Sequence, residues 1–350
     1  MVVVMQKGAE PQSVQRVIDE VTHLGFTTHI SDGEQRTLIG AIGPAPTEDV
    51  RERLAAMPDV ETVVRITKPY KLASREFRHD DSFVMIGGVK TGNGRFVVAA
   101  GPCGVESREQ TLAAAEIAHR HGAQILRGGA FKPRTSPYSF QGLGDEGLTI
   151  LAEARAQTGM PIVTEVTAPE LVEKVASSAD MLQIGARNTQ NFALLAEAGK
   201  SGKPVLFKRG MSTSISEFLQ AAEYVLSQGN PNVVLCERGI RTFETSTRFT
   251  LDVSAVPVLK ELSHLPVWVD PSHAAGRRPL VSALALASAA AGADGLIVEV
   301  HANPEEAKSD AAQQLNDAEF GALMGRLRAV AQAVGVTSWG GFLLSILVGA

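Results

Sequence analysis

From Phe96 onward a short apolar run gives way to a helical segment eight times in succession, and this alternation limits the possible folds more than any other feature of the chain. The runs cover residues 96–100, 124–126, 161–166, 181–184, 205–207, 233–236, 266–269 and 295–299. Runs of this length, bounded by glycine, proline and polar residues and separated by longer helical stretches, are the pattern of βα units around a parallel sheet. Eight such units over about 250 residues predict a closed (β/α)8 TIM barrel. An open doubly wound sheet is the alternative, because periodicity alone does not show closure. The first βα turn, Gly101-Pro102-Cys103-Gly104, lacks the dinucleotide-binding glycine pattern, which counts against that alternative.

Residues 1–67 read differently. Apolar runs at 2–5, 26–30, 37–42 and 60–66 and amphipathic stretches at 12–24 and 47–57 give the order β-α-β-β-α-β, which predicts a small ferredoxin-like α+β domain. Residues 68–81 lose periodicity and gain charge, so they read as a linker. The barrel domain is then 82–335, preceded at its start by a hairpin around Gly87-Gly88 and Gly92-Asn93-Gly94 that covers its bottom, and 336–350 form an apolar tail.

The net charge of −5 makes a nucleic-acid-coating or anionic-membrane-binding surface an unsuitable reading, so neither is expected as a partner. Two cysteines, Cys103 and Cys236, are too few for a disulfide framework and fit a reducing cytoplasm. The apolar N-terminal run is too short for a signal peptide, and the C-terminal tail is shorter than the roughly 20 residues a membrane helix needs. The tail reads as a packing or subunit-contact segment, and the protein as a homotetramer or homodimer.

In such barrels chemistry sits at the C-terminal ends of the strands. There the chain places Arg127, Lys132, Arg134, Arg187, Lys208 and Arg238, cations on several strands that converge on one mouth of a net-negative protein. Their mutual repulsion is costly without a bound anion, and arginine's planar fork suits phosphate and carboxylate. Cys103, His273, Glu299 and Asp310 have no short metal-binding spacing. Strands 7, 8 and 1 are neighbours in a closed barrel, however, so these four side chains reach one point. One thiolate, one imidazole and two carboxylates accept Mn²⁺, Fe²⁺, Co²⁺, Zn²⁺ or Cu²⁺, with the choice open. Other features read as structural. Gly199-Lys200-Ser201 closes a helix where a phosphate loop opens one, His119 and His121 sit at a helix C-terminus, and Cys236 is a packed thiol.

Several stretches together resemble the 3-deoxy-D-arabino-heptulosonate 7-phosphate (DAHP) synthase family, in its short type Iβ branch with an N-terminal ferredoxin-like regulatory extension. They are Gly101-Pro102-Cys103, Lys132-Pro133-Arg134-Thr135-Ser136, Gly185-Ala186-Arg187-Asn188-Thr189, Cys236-Glu237-Arg238-Gly239, Asp270-Pro271-Ser272-His273 and Ile297-Val298-Glu299-Val300-His301. The resemblance implies condensation of phosphoenolpyruvate with erythrose 4-phosphate and water to DAHP and phosphate, the first step of aromatic amino-acid synthesis. It implies that Arg187, Arg238 and the backbone N–H of Ala186 hold the phosphoenolpyruvate phosphate, and Arg127, Lys132 and Lys208 its carboxylate. Arg134, Thr135 and Ser136 take the aldose phosphate. One divalent ion on Cys103, His273, Glu299 and Asp310 activates the aldehyde, and Lys132 protonates the developing alkoxide. Glu165, Glu237 or a metal-bound water activates the attacking water. The ferredoxin-like extension implies inhibition by tyrosine or phenylalanine. Two other functions stay open: the related octulosonate 8-phosphate synthase reaction with arabinose 5-phosphate, and a non-catalytic metabolite sensor.

Overall fold

The computed structural model describes residues 1–32, 36–43, 46–64, 69–133 and 136–336, and the backbone of 338–339 and 342–343. The chain divides into two compact units, Met1–Asp80 and Asp81–Ala350.

In the larger unit the eight apolar runs are the strands of a parallel barrel: β1 (Arg95–Gly101), β2 (Ile125–Arg127), β3 (Ile162–Glu165), β4 (Met181–Ile184), β5 (Val205–Lys208), β6 (Val233–Glu237), β7 (Val267–Val269) and β8 (Gly295–Glu299). Each pairs with the next in sequence, and β8 pairs in parallel with β1 from Gly295 opposite Val97 to Glu299 opposite Gly101. That last pairing decides between the two architectures: the sheet closes.

Both faces of these strands are covered, which is why they read as unbroken apolar runs. Val97 and Ala99 of β1 point inward with Ile125, Val163, Met181, Leu206, Val234, Cys236, Trp268 and Ile297. Cys236 is therefore the packed thiol the sequence suggests. The hairpin of Phe83–Ile86 and Val89–Gly92 adds Val84 and Ile86 to the same cluster, and so stops the N-terminal end of the barrel. Its second strand, unrecognised in the sequence, supplies Thr91, whose hydroxyl accepts the Trp268 indole N–H at 2.8 Å. A buried indole needs such a partner. Helices return between strands with ordinary start signals, as where Ser214 and Glu217 form a reciprocal cap on Ile215–Leu226. Lys200 ends the helix Phe192–Lys200, and His119 lies in the last turn of Arg108–Arg120, so both are structural as expected.

The smaller unit is an antiparallel sheet of Val2–Met5, Thr27–Asp32, Thr37–Ile42 and Val60–Val64, ordered second, third, first, fourth, with helices Pro11–His23 and Glu48–Ala55. This is the ferredoxin-like order. Val17 and Val21, four residues apart on one helix face, pack with Val3, Met5, Ile39, Leu54 and Val63. Residues 69–80 are not a solvated linker: Tyr70, Leu72, Ala73 and Phe77 are buried, and Phe77 and Leu72 lie against Gly40 of the sheet. Their charge-rich neighbours hid that packing. Of the tail, Ser338–Trp339 pair in parallel with Arg95 and Phe96, which fits a packing segment. Among the described residues no helix is long and apolar enough to cross a membrane.

Candidate active site

The strand ends carry polar side chains into one recess of about 540 Å³, lined by Lys132, Glu165, Gln183, Ala186, Arg187, Lys208, Arg238, Arg248, His273 and Asp310. Its lining is mostly charged, with Lys132, Arg187, Lys208, Arg238 and Arg248 set against Glu165 and Asp310.

Backbone geometry at the end of β1 sets the first donor. Gly101 has φ +152°, and a Cβ there would lie 2.1 Å from the Arg127 carbonyl oxygen. Only glycine lets the chain pass this close to β2 and turn Cys103 toward the axis. Cys103 is fully buried, with Sγ 3.2 Å from Asp310 Oδ2 and 3.0 Å from Lys132 Nζ. Burial, with Glu299 second, pushes its thiol up to about 12. Directly after β7, Asp270 caps the helix Pro271–Ala275, accepting the His273 backbone N–H at 2.9 Å. Asp270 also lies 2.7 Å from His273 Nδ1, which leaves Nε2 facing Glu299 Oε1 at 3.4 Å and Asp310 Oδ2 at 3.7 Å.

The ligand atoms of Cys103, His273, Glu299 and Asp310 all lie within 4.8 Å of one another. This donor set fits a divalent transition ion: an aspartate fixes the imidazole through its other nitrogen, and both carboxylates are held by cations. Glu299 accepts from Arg127 Nη1 at 2.8 Å and Asp310 from Arg248 Nη1 at 3.1 Å. Burial favours the neutral acids, but His273 and Arg127 keep Glu299 below its ordinary value, and His273 and Arg248 keep Asp310 far below its own. Burial likewise opposes charge on Asp270, yet His273 and Lys208 hold it well below the carboxylate range.

The cations divide into two groups. Lys132, Arg187, Lys208 and Arg238 line the recess as the sequence implied, whereas Arg127 lies beneath it on Glu299 and the Pro102 carbonyl. Lys208 is ion-paired with Asp270. Arg238 stacks on the Phe249 ring at 4.2 Å, and its buried Nη1 has no hydrogen-bond partner among the described residues. An unsatisfied buried guanidinium N–H is costly unless a ligand takes it. Ser136 lies in the β2 loop; Arg134 and Thr135 fall outside the described residues. Burial would lower Lys132, but the neighbouring Cys103 sulfur, with the carboxylates behind it, keeps it above its ordinary value.

Glu165 lines the recess, accepting from Gln183 Nε2 at 3.2 Å. Glu237 does not. Its Oε2 accepts from Arg209 at 2.9 Å and its Oε1 from the Gly239 N–H at 2.6 Å, so it anchors the β6 loop and is withdrawn as a water-activating group. Sequence reasoning missed Arg248, a loop arginine beyond the strand-end motif, and gave Asp270 no role. Asp270 had a signal in its position three residues before His273, as a helix N-cap.

Fold and recess together define a class: a (β/α)8-barrel enzyme with a mixed sulfur, nitrogen and oxygen donor group beside a cation-walled pocket for small anions. Known proteins narrow it. Residues 61–333 match the model of the DAHP synthetase I family, and residues 1–68 that of the DAHP synthase ferredoxin-like domain. The chain is 50% identical over 336 residues to phospho-2-dehydro-3-deoxyheptonate aldolase of Thermotoga maritima, covering 96% of this chain and 99% of that one. The crystal structure of that aldolase (DAHP synthase) superposes with a TM-score of 0.76 at 49% identity, over 95% of this chain and 98% of that one. A 2-dehydro-3-deoxyphosphooctonate aldolase of Trichlorobacter lovleyi is 34% identical over 264 residues, 70% of this chain and 96% of that one. The chain belongs to the DAHP synthetase I family.

Proposed function

We propose that this recess condenses phosphoenolpyruvate with erythrose 4-phosphate and water to give DAHP and inorganic phosphate, the first step of the shikimate route to aromatic amino acids. The observation that carries the reading is the four-donor group set against a wall of lysine and arginine in one recess, in a chain half identical to a Thermotoga maritima aldolase of this kind. A divalent ion held by Cys103, His273, Glu299 and Asp310 supplies Lewis acidity toward the aldehyde oxygen.

The protein's own groups do the rest. Arg238, whose buried Nη1 has no partner among the described residues, and Arg187 with the Ala186 N–H, hold the phosphoenolpyruvate phosphate. Lys132 and Lys208 face its carboxylate, with Arg127 beneath them adding charge. Arg134, Thr135 and Ser136 take the aldose phosphate. As C3 of the enol bonds to the aldehyde carbon, the oxygen gains the electron pair and takes a proton from Lys132, which Cys103 and the nearby carboxylates keep protonated until then in spite of its burial. Water adds to the cationic C2, giving up one proton to Glu165; the C2 hydroxyl then becomes the ketone as the C2–O bond to phosphate breaks, and its remaining proton leaves with the phosphate. The ferredoxin-like unit takes tyrosine or phenylalanine as effector, a role supported by the match of residues 1–68.

Metal-stripped protein is to be assayed with each of Mn²⁺, Fe²⁺, Co²⁺, Zn²⁺ and Cu²⁺ and with both aldose phosphates. DAHP formation with erythrose 4-phosphate, dependent on one of these ions, is expected. Faster turnover of arabinose 5-phosphate would move the chain to the octulosonate reaction. Phosphoenolpyruvate binding with no phosphate release under any ion would make it a sensor.

A further inference from the structure

Each of the four donors meets one charged partner: Lys132 for Cys103 at 3.0 Å, Asp270 for His273 at 2.7 Å, Arg127 for Glu299 at 2.8 Å and Arg248 for Asp310 at 3.1 Å. Arg248 is the partner with no role so far. Its Nη1 also donates to Gln313 Oε1 at 3.1 Å, and Gln313 in turn donates from Nε2 to Glu299 Oε2 at 2.7 Å. A continuous arc, Glu299–Gln313–Arg248–Asp310, therefore ties the two carboxylates together.

Both middle members of the arc are fixed. The Arg248 N–H donates to the Ala275 carbonyl at 3.2 Å. Gly276, at φ +63°, leaves room for its side chain, since a Cβ there would sit 2.4 Å from Arg248 Cβ. Gln313 is buried. Asp310 itself has φ +51°, a left-handed conformation that is uncommon outside glycine and that aspartate adopts more readily than most residues.

We propose that Arg248 and Gln313 are positioning residues that hold Asp310 and Glu299 in the mutual geometry a divalent ion requires. The inference rests on the reading that these four side chains bind a metal. A guanidinium so close also repels a cation, so the sign of the effect separates positioning from charge. If Arg248 acted mainly as a charge, its removal would tighten metal binding. If it positions Asp310, removal weakens binding.

The test is Co²⁺ titration of the metal-stripped full-length chain, followed by the visible d–d absorption of the bound ion and by competition with a chelator. Arg248→Ala and Gln313→Ala are each expected to weaken Co²⁺ binding by about 10- to 100-fold and to alter the d–d spectrum, as loss of an outer-shell partner does. Arg248→Lys is expected to restore much of both. The double variant should lose less than the product of the two single losses, because one arc is broken in each. Arg248→Gln, which keeps a donor and much of the side chain's bulk, serves should the alanine variant not fold, and is expected to fall between it and the wild type. Wild-type affinity with an unchanged spectrum in these variants, or tighter binding, would overturn the arc while leaving the metal site standing. No Co²⁺ binding by the wild type would overturn both readings.

Discussion

Lys132 stands where two demands meet. Its Nζ lies 3.0 Å from the sulfur of Cys103 and 2.9 Å from the Cys103 carbonyl oxygen, while the side chain also lines the recess. A lysine buried alone would lose its proton, but here the neighbouring anions outweigh burial. It is thus a charged acid held ready at the place where an alkoxide forms. Lys132→Met, close in length and lacking the proton, should lower kcat by about 10² to 10⁴-fold, the usual share of a positioned acid. Steady-state kinetics with circular dichroism as a folding control measures it, and a loss seen only in KM would make Lys132 a binding group alone. The residue was conspicuous in the sequence because it sits in Lys132-Pro133-Arg134-Thr135-Ser136. Arg248 was not, since a single arginine in a polar loop looks solvated until the loop is seen folded onto Asp310.

The strands were legible because a parallel sheet covered on both faces leaves unbroken apolar runs, a pattern that few other architectures produce. Loops follow no such rule, and the loop after β6 shows why. It carries Arg238 and Arg248, and it is anchored by Arg209, which donates from Nη1 to Glu237 and to Asp252, each at 2.9 Å. These residues are far apart in sequence, and no periodicity links them, so Glu237 read as a free acid beside the site. Burial opposes charge on Asp252, but Ser254 and Arg209 hold its acid below the ordinary value. A depressed folded pKa means that the contribution to stability is present above the unfolded value, about 3.9, and is lost as pH falls through the folded one. Asp252→Asn is therefore expected to be less stable than wild type at pH 7, with the gap narrowing on acidification below about pH 4. Urea unfolding midpoints across that range check it, and a gap that stayed constant with pH would show that the carboxylate charge does not support the anchor. Since the anchor holds Arg238, KM for phosphoenolpyruvate should rise in the same variant.

At the scale of the molecule the two units are separate solutions to separate problems. The barrel has its own interior cluster from Val84 to Ile297, and the ferredoxin-like sheet has its own from Met1 to Val63. The four donors and the described recess residues all lie in the second unit. The described part of the site is therefore built by the second unit alone. The division was visible in the change of pattern near residue 67, and the compact unit that contains the sheet runs on to Asp80. Phe77 and Leu72 pack beside Gly40, so a cut at 67 would strip residues 69–80 of the sheet they cover and leave Phe77 exposed. A cut after Asp80 respects both cores. A truncated form of 3-deoxy-D-arabino-heptulosonate 7-phosphate synthase from Thermotoga maritima, 49% identical, matches 76% of this chain and 98% of its own with a TM-score of 0.72. Removing residues 1–80 is expected to leave a folded barrel whose turnover with phosphoenolpyruvate and erythrose 4-phosphate stays within a few-fold of the full chain, and to abolish inhibition by tyrosine or phenylalanine. Dose–response curves for both amino acids on the two proteins decide it. Inhibition that survives in the truncated protein would place the effector on the barrel, and an inactive but folded barrel would give the first unit a part in the chemistry.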